Sequence, residues 1–162
     1  MTEEIIGDIF KASEEVVIHA ISKSGKVDDS ISKKFYKAYP KSKDAYDKFI
    51  ENVRAGRMAN RYKQAVQTSI LKINDVGYTG YSYARIKYLA GILCRQTAQD
   101  TEIDMDAIRE ALWGLYETHV SFAVPYKFGM NISNAQWEKI THLLDVIYCD
   151  KLVTIYKPKT IK

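Results

Sequence analysis

The sequence predicts an all-α domain of about six to eight helices. Three observations support this prediction. Apolar residues recur at helical spacing along most of the chain, several of these segments follow a Ser or Asp suited to an N-cap, and Pro and Gly fall between them. The 162 residues, 46% of them hydrophobic, are enough for one sizeable core. We therefore expect residues 1–162 to fold as a single domain.

The first helix is predicted over residues 3–22. Ile5, Ile9 and Val16 belong to an apolar set whose spacing is close to the 3.6-residue period of a helix. Residues 23–30 contain a glycine and two aspartates, so they are expected to form a polar loop.

Two helices are predicted next. Asp29 or Ser30 is expected to cap a short helix that Pro40 ends, because the residue before a proline is pushed out of the helical region. A long helix is then expected over residues 42–74. Gly56 is expected to interrupt it.

The second half of the chain shows the same pattern. A helix over residues 81–98 is expected to turn Leu89, Leu93 and Cys94 inward, and Asp104 or Asp106 is expected to open a helix that ends near Val124. Residues 152–162 alternate weakly and are left unassigned.

The last helix, over residues 134–150, is predicted to begin after a Ser133 cap. This helix and the one before it are apolar on more than one side. A helix of this kind in a small protein lies at the centre of the core or is shared with a partner. We predict a homodimer with an interface that includes Trp113, Phe122, Trp137 and Tyr148.

The composition indicates the cellular compartment of the protein. Cys94 and Cys149 are too few for a disulfide framework and lack the spacing of zinc ligands, which favours a reducing interior. The N-terminus lacks the features of a signal peptide, and no stretch is apolar enough for a membrane span. We therefore expect a cytoplasmic protein with no membrane partner.

No catalytic or metal-binding constellation is found. Asp100, Glu102 and Asp104 begin like a calcium loop, but Met105 stands where that loop needs glycine and Ala111 where it needs a bidentate Glu. The histidines lie on three separate predicted helices, and no Ser or Cys has the surroundings of a nucleophile. We expect a protein that binds and does not catalyse.

The basic segment, residues 31–74, carries the alternative of a helical nucleic-acid-binding protein. It holds eleven Lys or Arg against three acidic residues, and tyrosines follow it closely. Arg54, Arg57 and Arg61 also fit the polar face of one helix, which is the simpler interpretation.

Several spacings resemble those of globins. Tyr36, Pro40 and Tyr46 follow one such pattern, and the stretch from Tyr83 to Cys94 looks like the bacterial sensor-globin segment that ends in the haem-ligating His. The resemblance implies a globin-like fold, and Cys94 at the ligand position implies a globin without haem. A haem-binding globin with Cys94 proximal and Gln64 distal is the alternative.

Among globins, the chain resembles the small sensor-domain proteins of Bacillus that inhibit sporulation, which are similar to the sensing domain of a sporulation histidine kinase. This resemblance implies a stand-alone sensor that binds a fatty acid with a halide such as chloride. It also implies dimers through the last two helices and antagonism of a sensor histidine kinase by competition for its signal. Arg61, Lys87 and Arg95 are the expected partners of the carboxylate or halide. The expected pocket residues are Phe49, Tyr62, Val66, Ile70, Leu89, Leu93, Cys94, Leu112, Tyr116 and His119.

Overall fold

A computed structural model describes residues 2–27, 29–57, 66–70, 88–95 and 102–159, and gives the backbone alone for 66–70. In these residues a central sheet lies between two layers of helices. The fold is therefore α/β, and the all-α prediction is wrong.

The sheet has six described strands in the order β1-β6-β5-β2-β4-β3. Five are mutually parallel, and β3, at one edge, is antiparallel to β4. β2 is buried along its whole length, as expected of a central parallel strand with helices on both faces. The strands are β1 (Thr2–Ile6), β2 (Val16–Ser22), β3 (Val66–Ile70), β4 (Tyr88–Arg95), β5 (Ser121–Pro125) and β6 (Leu152–Lys157).

Four described helices cover the two faces of the sheet. One apolar cluster joins the first two helices to the sheet, and a second cluster joins the last two to the opposite face. Two short 3-10 turns, Ile9–Lys11 and Tyr126–Gly129, follow β1 and β5. The helices are α1 (Ser30–Ala38), α2 (Pro40–Arg54), α3 (Met105–Tyr116) and α4 (Asn134–Ile147).

The N-caps predicted at Asp29, Asp104 and Ser133 are confirmed, whereas the helix predicted to start at residue 42 begins at Pro40 and the one predicted to end near Val124 ends at Tyr116. Asp29 caps α1 by accepting a hydrogen bond from the Ser32 amide, and Asp104 caps α3 in the same way. Ser133 and Gln136 form a reciprocal capping box at α4. These interactions span only a few residues, so sequence alone is enough to predict them. Pro40 ends α1 as predicted and is also the first residue of α2.

The errors lie where strands were interpreted as helices. The helix predicted over 3–22 is β1, a 3-10 turn and β2, and the one predicted over 81–98 contains β4. The helix expected over 42–74 ends at Arg54 and is followed by β3, while the segment after α3 contains β5. The tail left unassigned contains β6. Among the described helices, none is both long and apolar enough to cross a membrane.

Candidate functional site

The topology creates a crevice at the carboxyl edge of the sheet. From β2 the chain continues toward β3 and β4 on one side, whereas from β5 it continues through α4 to β6 on the other. β2 and β5 are neighbours. Adjacent parallel strands whose connections diverge leave a crevice beyond their carboxyl ends, and open α/β sheets bind ligands there.

A cavity of about 690 Å³ opens at this edge, and we call it the cleft. Its volume is within the range of about 300–1,000 Å³ that is typical of small-molecule sites. The carboxyl ends of β1, β5 and β6 and the first two turns of α1 form its walls. The lining residues are Ile6, Gly7, Asp8, Ile9, Phe10, Lys11, Ser30, Ile31, Lys34, Pro125, Tyr126, Gly129, Tyr156, Pro158 and Lys159.

Asp8 supplies an exposed carboxylate to the cleft. Its Oδ1 accepts a hydrogen bond of 2.9 Å from the Phe10 amide, which fixes the side chain at the start of the 3-10 turn Ile9–Lys11. A carboxylate has more acceptor capacity than this one bond uses. Asp8 can therefore accept a hydrogen bond from an amino group of a ligand.

Aromatic rings border the cleft on the side of β5 and β6. The Tyr156 hydroxyl donates to Glu14, with both carboxylate oxygens 2.8 Å away, and this hydrogen bond fixes the orientation of the ring. Burial raises the pKa of Tyr156 well above its usual value, and the Glu14 carboxylate adds to the increase. Tyr126 is half-buried, with its ring edge-on to Trp137 at 5.6 Å. The ammonium groups of Lys127 and Lys157 lie 5.7 Å and 4.8 Å from the centre of the Tyr126 ring, so this aromatic wall of the cleft also carries positive charge.

The turn after β5 has an uncommon backbone. Lys127 and Phe128 have φ of 55° and 56°, and Gly129 follows with φ of 69°. Non-glycine residues rarely adopt this left-handed conformation, and strain of this kind is concentrated at functional sites. A Cβ on Gly129 would lie 2.9 Å from Cγ1 of Ile31, so the turn packs directly against α1. This contact fixes the width of the cleft between α1 and β5.

The lining charges favour an anion. The cleft is lined by three lysines, Lys11, Lys34 and Lys159, and by a single carboxylate, that of Asp8. The Lys34 ammonium lies 4.3 Å from the centre of the Phe10 ring and so extends over an aromatic wall of the cleft. Clefts lined mainly by one sign of charge concentrate ligands of the opposite sign.

A buried polar cluster lies behind the start of α1. His19 Nδ1 is 2.8 Å from the Ser32 hydroxyl, and the ring of Tyr36 is edge-on to His19 at 5.8 Å. Burial lowers the pKa of His19 to about 4; Asp29 acts to raise that pKa and Arg95 to lower it. His19 is therefore neutral at physiological pH.

The residues predicted to form a fatty-acid pocket do not come together. Phe49, Leu89 and Leu93 pack on the α1–α2 face of the sheet. Cys94 and Leu112 pack on the opposite face. The pocket was built on one inward helical face, but Leu93 and Cys94 are neighbours on a strand, where successive side chains point to opposite faces.

The other predicted ligand-binding residues are also dispersed. His119 Nδ1 is 2.6 Å from Glu15 Oε1, and Tyr116 donates to Asp150. Arg95 pairs with Asp29. Val66 and Ile70 are residues of β3, whose side chains are not described, and Arg61, Tyr62, Gln64 and Lys87 lie outside the described residues.

Of the four residues predicted to form a dimer interface, Trp113 is exposed. Trp137 is buried, and Phe122 and Tyr148 are completely buried, with their rings stacked 4.3 Å apart inside the chain. The homodimer itself stays a prediction. The burial of Cys94 expected from its apolar neighbours is confirmed, and burial raises the pKa of this thiol to about 12.

Sequence reasoning missed Asp8, Phe10, Tyr126 and Tyr156. Local signals for two of them exist: Gly7 and Asp8 directly follow an apolar pair at the end of β1, and Tyr126 follows Pro125 after the apolar run of β5. Each of these two signals lies at the carboxyl end of a strand. They point to a binding crevice only if β1 and β5 are recognised as strands.

No family model and no curated protein sequence matches the chain. Solved structures do. The macrodomain of Mycobacterium tuberculosis DarG is 16% identical, with 99% of each chain covered and a TM-score of 0.69. A macrodomain protein from Streptomyces coelicolor is 15% identical over 96% of this chain and 98% of that one, with a TM-score of 0.68.

Thermosipho africanus DarTG, solved in complex with ADP-ribose, is 14% identical over 99% of this chain and 43% of that one, with a TM-score of 0.67. These neighbours contradict the globin resemblance and the sensor function that it implied. The same finding leaves the haem-binding and nucleic-acid alternatives without support. The chain has the macrodomain fold.

Proposed function

We propose that the chain binds ADP-ribose, or an adenosine nucleotide of similar size, in the cleft. The observation that carries the proposal is the cleft itself, which lies beside the point where β2 and β5 diverge and has the volume of a nucleotide site. The ADP-ribose complex of the similarly folded DarTG supports the same ligand class.

The side chains of the cleft match the parts of this ligand. The Asp8 carboxylate suits the exocyclic amino group of adenine. Tyr126 and Tyr156 offer an aromatic wall beside the base. Lys34 and Lys159 offer positive charge to the phosphates. The fatty acid, the halide and the histidine kinase followed from the globin resemblance alone, and none of them enters this proposal.

The prediction that the chain binds without catalysing a reaction stays a prediction and is part of this proposal. A cytoplasmic location is part of it too. Cys94 and Cys149 are not joined to each other by a disulfide, which suits a reducing compartment.

Calorimetric titration of ADP-ribose into the wild-type protein and into Asp8→Ala tests the proposal. A hydrogen bond to a charged group contributes about 1.5–3 kcal/mol, so we expect D8A to bind at least about tenfold more weakly. Asp145→Ala is the matched control, because it removes an exposed carboxylate of α4 that does not line the cleft. Absence of binding to the wild-type protein, or equal affinities for D8A and D145A, would contradict the proposal.

A further inference from the structure

Two lysines beside Asp8 have no role in the proposed complex with ADP-ribose. Lys11 lines the cleft and is the last residue of the 3-10 turn that Asp8 caps. Lys157 is the last residue of β6, and its carbonyl accepts a hydrogen bond of 3.0 Å from the amide of Gly7, the residue before Asp8. Both lysines are therefore joined to the short segment that carries the Asp8 carboxylate.

The ammonium group of Lys157 lies at the aromatic wall of the cleft. It is 4.8 Å from the centre of the ring of Tyr126, a lining residue. Glu4 Oε1 is 3.9 Å from the same ammonium, but the two side chains of this pair are 35% and 48% exposed. Ion pairs exposed in this way contribute little, so Lys157 can exchange Glu4 for a more strongly charged partner.

The positive charge at this end of the cleft exceeds what ADP-ribose balances. Its two phosphates are matched by Lys34 and Lys159, and the adenine base that meets Asp8 is uncharged. Asp8 offsets one further positive charge, while Lys127 adds another at the Tyr126 ring. A ligand that brings one more anionic group to this end gains Coulomb energy that ADP-ribose does not.

The position of Lys11 and Lys157 indicates which part of the ligand carries that group. With the base held by Asp8, adenosine occupies this end of the cleft, and the diphosphate leads away from it through the 5′ oxygen. The adenosine ribose then has its 2′ and 3′ hydroxyls left to carry a phosphate. A phosphate monoester has about 1.5–2 negative charges near neutral pH and three strong acceptor oxygens, which suits two neighbouring ammonium groups.

We propose that the cleft prefers adenosine nucleotides that carry a phosphate ester on the 2′ or 3′ hydroxyl of the adenosine ribose, bound by Lys11 and Lys157. This inference rests on the proposed function, because it takes Asp8 as the site of the base. It narrows the ligand class to nucleotides whose phosphates lie on both sides of the ribose.

Adenosine 2′,5′-bisphosphate and adenosine 3′,5′-bisphosphate test this preference by calorimetric titration. Each is an isomer of ADP in which one phosphate has moved to the ribose. We expect at least one of them to bind at least about tenfold more tightly than ADP, and the tighter of the two identifies the hydroxyl. ATP is the charge control, because all its phosphates lie on the 5′ side. We expect ATP to bind several-fold more weakly than the preferred bisphosphate.

Lys11→Met and Lys157→Met each remove one charge and keep an unbranched apolar side chain. The measured quantity is the dissociation constant of ADP divided by that of the preferred bisphosphate, because a general loss of affinity cancels in this ratio. We expect the ratio to fall at least about threefold in each single variant and to approach one in K11M/K157M. Lys139→Met is the matched control, since Lys139 is an exposed residue of α4 that does not line the cleft, and it should keep the wild-type ratio.

The outcomes separate this inference from the proposed function. If ADP-ribose binds with the expected loss in D8A, but neither bisphosphate binds more tightly than ADP and ATP, the ribose phosphate is not recognised and the proposed function stands. A preference that persists unchanged in K11M/K157M also overturns the assignment of these lysines. If ADP-ribose does not bind while a bisphosphate does, and K11M/K157M abolishes its advantage over ADP, the proposed function fails and the phosphate site stands.

Discussion

The contact between Gly129 and Ile31 predicts a large loss of stability in Gly129→Ala. Two costs add at this position. An alanine with φ near +69° costs about 1–2 kcal/mol, because its Cβ crowds the following carbonyl. The same Cβ would lie 2.9 Å from Ile31 Cγ1, and forcing extra volume into such a contact costs roughly 1–3 kcal/mol. We expect G129A to lower the free energy of unfolding by about 2–5 kcal/mol.

Gly56→Ala separates the two costs. Gly56 also has φ of +69°, but a Cβ there would meet no atom of the described residues within 4 Å. We expect it to lose only the conformational part, about 1–2 kcal/mol. Ile31→Ala removes the side chain that the new Cβ would strike, so G129A should cost less in the I31A background than in the wild-type protein.

Urea unfolding of the four variants and the wild-type protein, followed by circular dichroism, measures these differences. Equal losses for G129A and G56A would show that the turn does not pack tightly against α1. Independent effects of G129A and I31A would lead to the same conclusion.

Two further predictions concern titration. The pKa of His19 falls from 6.5 to about 4 on folding, so the unfolded chain binds more protons between these values. The contribution of His19 to stability is therefore complete above about pH 6.5 and is lost as the pH falls toward 4. The difference in unfolding free energy between the wild-type protein and His19→Asn should decrease over the same pH range. For the cysteines, we expect a native thiol assay to modify exposed Cys149 rapidly and Cys94 only after unfolding, because Cys94 is buried with a pKa of about 12; fast modification of both would contradict its placement.

The sequence allowed prediction of those features that depend on neighbouring residues. The caps at Asp29, Asp104 and Ser133 were found because each bonds an amide three residues away. The core faces of α3 and α4 were found for the same reason. Leu112 in α3 and Ile140 in α4 each belong to a set of apolar residues at helical spacing, and both are fully buried.

The strands could not be found in this way. β2 is buried on both faces, so its seven residues form an apolar run with hardly any polar alternation. Such a run cannot be distinguished from a buried helix by periodicity. Ile5 lies in β1 and Ile9 in the 3-10 turn between β1 and β2, but their spacing happens to fit a helix as well. One wrong assignment there changed the predicted fold class.

The cleft was even less accessible from sequence. Asp8, Ile31, Tyr126 and Tyr156 come from four separate segments, and the parallel sheet brings the ends of those segments to one edge. No local spacing connects them. Their proximity follows from the strand order, which requires the sheet to be known first.

Gly91 provides the sharpest test between helix and strand for residues 88–94. In the globin resemblance this glycine lies within a helix, where replacement by alanine would stabilise the protein by up to about 1 kcal/mol. In the sheet it faces α1 and α2, and an added Cβ would lie 2.8 Å from Ile21 Cγ2 and 3.3 Å from His19 Nε2. The glycine makes room for two side chains of the neighbouring strand β2.

We therefore expect Gly91→Ala to destabilise the protein by about 1–3 kcal/mol, the usual cost of overfilling a packed core. Gly7→Ala is the control, because its Cβ would make only ordinary contacts of 3.5 Å and longer, and its loss should be smaller. Thermal unfolding of both variants gives the sign directly. A melting temperature of G91A above that of the wild-type protein would mean that β2 and β4 do not pack as described, because only an unobstructed position gains stability from the added methyl group.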